Sequence, residues 1–424
     1  MIQLWNWYKK KSFILKITTG FILGIIVGLI FGPSASTLAP LGTLFLNLLK
    51  MVVVPLILLT LIVSVNNSNP KELGRIGIKI FPYYLITTAV SLLLGIWIAK
   101  LINPGIGLSM PGSENFEVPE APSAIEVFLN IVPTNIFQSL ANGDILSVVF
   151  LALVVGFAVS FMRHSKDQKM RDQGNLLLNL SEAGSEVTFR ILNGVLQYAP
   201  IGVLGITANS IGNQGFDTLQ SLGKYVLASY VGVGVQMFII FPLILLLFRV
   251  PVLKFFKNVR EALLTAFVTC SSLGTLPVTL KAAKKAGISD RVADFTLPVG
   301  ATVNMNGSAI HFGVGVIFAA EIVGYDLSIG TIIGIILTGT LAAVGTAGVP
   351  GAGLIGMSIV FTQAGLPIEI VGLTAGVNVI TDMVFTTCNV TGDIVGAAVV
   401  DKSEQKHSDY NEPVADMTIK TISK

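Results

Sequence analysis

The sequence predicts an all-α polytopic membrane protein of eight transmembrane helices and two re-entrant helical hairpins, and three observations predict it. Of 424 residues, 52% are hydrophobic and 12% charged, with a mean hydropathy of +0.78, a composition that excludes an ordinary soluble domain. Basic residues fall in short clusters that appear in every second connection, the pattern of a chain that crosses repeatedly and keeps Lys and Arg in the cytoplasm. Two further apolar stretches are broken by Gly and Pro and carry like flanks on both sides, so each enters and leaves from one side. The formal charge of +3 arises beside apolar spans rather than on one basic face, which argues against a nucleic-acid partner. Cys270 and Cys388 both lie in apolar surroundings and are expected as free thiols.

Trp5, Trp7, Tyr8 and Lys9 to Lys11 precede the run Phe13 to Phe31. They read as interfacial anchors of a first span rather than a cleaved leader, because further spans follow at once. Spans are then expected at Leu41 to Val65, Ile80 to Ile102, Ile125 to Phe161, Val187 to Ile211, Tyr225 to Phe248, Phe295 to Val323 and Val371 to Val400. Each can cross a hydrocarbon core of about 30 Å. Lys71, Arg75 and Lys79 follow the second span, whereas 103–124 after the third holds Glu114, Glu117 and Glu120 and no Lys or Arg. Arg163, Lys166, Lys169 and Arg171 follow the fourth, nothing basic lies at 212–222, and Arg249, Lys254, Lys257 and Arg260 follow the sixth. Both termini are therefore expected in the cytoplasm, with a polar tail from Lys402.

The first broken stretch, Ala262 to Leu280, has Lys257 and Arg260 before it and Lys281, Lys284, Lys285 and Arg291 after. The second, Ile329 to Phe361, lies in a region without Lys or Arg from Arg291 to Lys402 and fits entry from outside. Their centres, Thr269 to Pro277 and Gly345 to Gly353, leave backbone groups that hydrocarbon cannot satisfy, so the tips must be buried in protein or line a polar cavity. Paired broken segments, each followed by a span with polar residues at mid-depth, signal an inverted repeat around a midplane site.

The last span supplies that site's charges. Asp382, Thr386, Asn389 and Asp393 stand at offsets of 0, 4, 7 and 11, one narrow helical stripe bordered by Phe385. Buried ionisable groups of this kind mark a pathway or binding site more often than a helix end reaching headgroups. In the seventh span, Gly300 to Ser308 carries Asn304, Asn306 and Ser308 between glycines, which suggests an unwound segment whose oxygens could hold a hard monovalent cation. The sequon at Asn306 is discounted at membrane depth. A channel would not need the amphoteric stripe, and an intramembrane enzyme would need a nucleophile and base or a metal site. His164 and His407 lie in polar loops, and His311 stands alone in the seventh span, where a packed structural role is expected.

Together, Ser271-Ser272 with Gly274 to Pro277, Asn304-Met305 with Gly307, Gly345 to Gly353, and Asp382 with Asn389 to Asp393 resemble the glutamate transporter family of dicarboxylate/amino acid:cation symporters over essentially the whole chain. The resemblance implies a sodium-coupled elevator symporter assembled as a homotrimer in the inner membrane. Residues 1–72 and 125–222 would form its scaffold, 73–124 and 223–401 its transport domain, and 402–424 a cytoplasmic tail. It also implies a substrate site. The amino group would lie on Asp382 and the α-carboxylate on Asn389 and the backbone near Ser272, with Cys270, Ser271, Ser308, Gly348, Val349, Phe385 and Thr386 around them. One sodium set would be Gly300, Asn304, Asn389 and Asp393; a second Thr302, Met305, Ala343, Val344 and Thr346; a third Tyr84, Thr87, Thr88, Asn304 and Asn306.

The chain departs from that pattern twice. Phe385 stands where acidic-substrate members carry arginine, Asn378 where they carry the neighbouring aspartate, and Cys270 where some carry a hairpin arginine. A side-chain carboxylate would lack its guanidinium, so a small neutral amino acid such as alanine, serine, threonine or cysteine is expected, with an acidic amino acid or dicarboxylate as the alternative. Asn306 replaces an aspartate, which leaves the third cation set without a charge of its own, so about two sodium ions are expected.

Overall fold

The computed structural model describes residues 13–66, 73–108, 129, 132–346 and 348–405. The Trp5 to Lys11 anchors, Lys71, the acidic residues 114–120, the start of the fourth expected span, His407 and the tail from 406 lie outside the described residues. Every regular element among those described is helical. Among the described residues six helical stretches are long and apolar enough to cross a bilayer: Leu15–Leu48, Arg75–Ile102, Gln168–Gln214, Phe216–Leu247, Asp290–Ile322 and Asn378–Glu404.

Helix α1 (Phe13–Phe31) is joined to α2 (Ala39–Asn66) by a 3-10 segment, and α3 (Ile78–Ile102) follows a short π-helical turn, Leu73–Gly77. The fourth expected span is two pieces, α4 (Ile136–Asn142) and α5 (Ile145–Arg163), because Gly143 takes a left-handed φ of +74° and closes the first. The fifth is only the apolar end of α6 (Gln168–Gln214), a helix of 47 residues and so about 70 Å long. Its polar first half contains no Gly-Pro breaker and simply continues the helix beyond the apolar run.

The sixth expected span is α7 (Phe216–Val235), a π-helical turn at Gln236–Ile240, and α8 (Phe241–Leu247). Each broken stretch is a helical hairpin: α9 (Val252–Thr269) packs on α10 (Ser272–Lys285), and α13 (Ile329–Gly345) on α14 (Ala352–Ala364). The seventh span is interrupted between α11 (Asp290–Val303) and α12 (Asn306–Ile322). Unwinding is thus confined to Asn304 and Met305, narrower than Gly300 to Ser308. The last expected span is split into α15 (Glu369–Ala375) and α16 (Asn378–Glu404).

The helices pack in two groups. In one, α6 lies against α1, α2 and α5. In the other, α12 lies against α3, α7, α14 and α16, with α13 beside it, while the hairpin α9–α10 packs on α11 and α16. All of α12 except Glu321 is buried, as expected of a helix that is apolar on every side. At the end of α16, Glu404 is ion-paired with Arg75 at 2.9 Å and Lys79 at 2.5 Å, which fastens that helix to the start of α3.

Candidate functional site

The two hairpin tips meet. Ser271 caps α10 by accepting from Gly274 N at 3.0 Å, and its hydroxyl donates to the Gly348 carbonyl at 2.7 Å. Leu273 N donates to the same carbonyl at 3.1 Å. On the other side Gly351 N donates to Asp382 Oδ2 at 3.1 Å. One hairpin tip is therefore tied to the opposite hairpin and to α16 at once.

Beneath the tips lies a small, nearly filled pocket. Eight of the expected substrate residues line it: Cys270, Ser272, Ser308, Gly348, Val349, Asp382, Thr386 and Asn389. Met305 and Thr346, expected at a cation site, also reach it, as does Gly353, which the sequence reading missed although it ends the Gly-rich tip. Ser271 and Phe385 do not line it. Ser271 is used in the tip contacts above. The Phe385 ring is 2% exposed and stacks on His311 with centroids 4.7 Å apart and planes at 22°, behind the wall. His311 is packed further against Tyr225 and Phe312. Among the lining residues Asp382 carries the single charge.

Asn389 has its oxygen committed. Oδ1 accepts from Gly307 N at 2.7 Å and Ser308 N at 3.3 Å, which caps α12 across the chain break and supplies orphan N–H groups with a partner. Its Nδ2 faces Ser308 Oγ at 3.5 Å and is the end left to meet an anion.

Deeper in the core, Asp393 accepts from Asn304 Nδ2 at 2.8 Å. A Cβ on Gly300 would stand 2.7 Å from both Asp393 Oδ1 and the Tyr84 hydroxyl, so only glycine lets this backbone approach the carboxylate. Tyr84 donates to the Thr296 carbonyl at 2.8 Å, and Thr87 Oγ1 lies 3.4 Å from Asn304 Oδ1. The Thr88 hydroxyl and both amide atoms of Asn306 are buried without hydrogen-bond partners among the described residues. Tyr84, Thr87, Gly300, Asn304 and Asp393 thus come together, and a buried carboxylate among hydroxyl and amide oxygens fits a hard monovalent cation. The second set is looser. Thr302 and Thr346 turn their hydroxyls to carbonyls of their own helices, at 3.0 and 2.8 Å. Ala343 and Val344 sit on α13, which packs against α11.

Residues 13–403 match the model of the sodium:dicarboxylate symporter family. The chain is similar to a proton/sodium-glutamate symport protein of Bacillus subtilis (strain 168), 31% identical over 92% of each chain. It is similar to a proton/glutamate-aspartate symporter of Escherichia coli (strain K12), 29% identical over 94% of each. An excitatory amino acid transporter 3 of Oryctolagus cuniculus is 29% identical, over 97% of this chain and 89% of that one. With a polar, cation-fitting core held inside an apolar helical body, the chain is an integral membrane protein, a secondary transporter rather than an enzyme, and belongs to the sodium:dicarboxylate symporter family, the glutamate transporter family.

Proposed function

We propose that this protein is a sodium-coupled symporter that imports a small neutral amino acid such as alanine, serine, threonine or cysteine. The observation that carries the substrate class is the cavity wall, which offers one carboxylate, Asp382, and no cationic side chain. An amino group would pair with Asp382, and an α-carboxylate with Asn389 Nδ2 and the N-terminal N–H groups of α10 near Ser272. A second carboxylate would find no partner, at a cost of several kcal/mol.

Sodium ions would enter the Gly300, Asn304 and Asp393 region and the Thr302, Met305, Ala343, Val344 and Thr346 region. The neutral Asn306 supports two ions rather than three. The hairpin α13–α14 serves as outer gate and both hairpins are re-entrant. Residues 73–124 and 223–401 move as a transport domain against a trimeric scaffold of 1–72 and 125–222. The protein sits in the plasma membrane with both termini inside.

The names of the relatives favour a second reading, transport of glutamate, aspartate or a dicarboxylate. An uptake screen in proteoliposomes, with the twenty amino acids and C4-dicarboxylates under imposed sodium or choline gradients, separates the two. The proposal expects sodium-dependent uptake of alanine, serine, threonine or cysteine. Uptake of acidic substrates alone overturns the substrate class, and no sodium dependence overturns the coupling.

A further inference from the structure

Gln236 takes no part in the site above, yet it is fully buried and neither of its amide atoms has a hydrogen-bond partner among the described residues. It opens the π-helical turn Gln236–Ile240, an irregularity that re-aims side chains and recurs at functional places. The contacts of α7 fix its level. Tyr225 packs on Phe318 with ring centroids 5.2 Å apart, and a Cβ on Gly232 would stand 2.9 Å from Ile310 Cγ2. As α7 advances from 225 to 232, its partner on α12 recedes from 318 to 310, so the two helices run antiparallel. One further turn on each sets Gln236, four past Gly232, level with Asn306, four before Ile310. A second register agrees. Tyr230 donates to the Ile380 carbonyl at 3.1 Å, and six residues on from that pair Gln236 meets the level of Thr386. There Phe385 lays its backbone against Gly307.

Asn306 is likewise buried with both amide atoms unpartnered. Two primary amides without charge, buried at one level of the core, offer two carbonyl oxygens and four N–H groups, and leaving them unmet costs free energy. A water takes about three hydrogen bonds from such groups. Asn306 Oδ1 and Asn304 Nδ2 both press on Gly392, and Asn304 Nδ2 donates to Asp393, so whatever holds the Asn306 amide also sets the geometry around Asp393.

We propose that Gln236 and Asn306 are bridged by ordered water and that Gln236 is thereby a positioning residue for the cation site at Asn304 and Asp393. The proposal rests on the sodium-coupled reading and deepens it: a neutral amide bridge takes the place of a further cation.

The test is the sodium dependence of thermal unfolding of the purified full chain without substrate, with choline holding ionic strength, for wild type, Gln236→Leu, Asn306→Ala, their double and Gln236→Glu. Gln236→Leu is expected to raise the sodium midpoint about ten-fold, as loss of an outer partner does at metal sites. The double is expected to be no worse than the worse single, because both lose one bridge. Gln236→Glu, which sets a carboxylate beside Asn306, is expected to lower the midpoint. A wild-type midpoint in Gln236→Leu, or effects that multiply in the double, overturns the bridge. If Gln236→Leu does not fold, an unchanged midpoint in Gln236→Glu overturns it. A wild type that ignores sodium overturns the coupled reading itself, and the bridge with it.

Discussion

On the proposed reading substrate choice turns on Phe385, whose ring lies against His311 rather than on the pocket wall. An arginine there has a buried aromatic neighbour at its back and the Asp382 and Thr386 side of α16 in front, so its guanidinium is driven toward the cavity, where a carboxylate could engage it in two hydrogen bonds. Phe385→Arg is expected to raise aspartate or glutamate uptake relative to serine uptake by about ten-fold or more, the worth of one charge-assisted pair. Parallel radiolabelled uptake checks it, and an unchanged ratio would sink the assignment. Asp382→Asn keeps the bond from Gly351 but removes the only charge on the wall. It is expected to lower amino acid uptake about 10- to 100-fold, on the scale of a hydrogen bond to a charged group. The stripe from Asp382 to Asn389 was legible because helical period and polarity coincide there. Ser271 was mistaken for a wall residue because residue type alone does not say whether a hydroxyl faces a ligand or caps its own helix. That the Asn389 side-chain oxygen caps α12 was not legible for the same reason.

At the scale of elements, the breaks decide function, and two glycines show that not all breaks are alike. Gly307, in the first turn of α12, lies against the backbone carbonyl of Phe385 on α16, so close that a Cβ would collide with it. Neither helix can yield there, because α12 is buried almost throughout. Gly348 sits at a tip, where a Cβ would stand 2.7 Å from the Ala301 carbonyl and 3.1 Å from Leu273 N, and on the proposed gating that tip lifts. Gly307→Ala is therefore expected to cost about 2 kcal/mol or more and to lower the thermal midpoint of the detergent-purified protein. Gly348→Ala is expected to leave that midpoint nearly unchanged while weakening substrate binding about ten-fold by parting the tips. Calorimetry of both variants distinguishes them, and equal effects on stability would refute the contrast. The hairpins could be anticipated from like-charged flanks and Gly/Pro centres. The contact between their tips could not, since it joins residues 77 positions apart that no local pattern couples.

The molecule as a whole consists of two helix groups whose shared surface has a particular texture. From one side come Gly372 on α15 and Gly376 just after it; from the other come the Ile206 side chain on α6 and the Phe21 ring on α1, which a Cβ on either glycine would strike. Glycine against flexible side chains makes a smooth contact with no interlocking ridge, unlike the ridges that lock ordinary helix pairs. Such a surface is what the proposed sliding of residues 73–124 and 223–401 past the rest would need. A side chain grown at 372 would meet the far end of Ile206, which can turn aside in the resting structure but must be passed again during every excursion. Gly372→Val is therefore expected to retain sodium-dependent substrate binding within about two-fold while slowing uptake in proteoliposomes about ten-fold, because it obstructs the conformational step and not the site. Uptake at the wild-type rate would mean that this surface does not slide, and loss of binding in step with uptake would mean that the substitution damages the site instead.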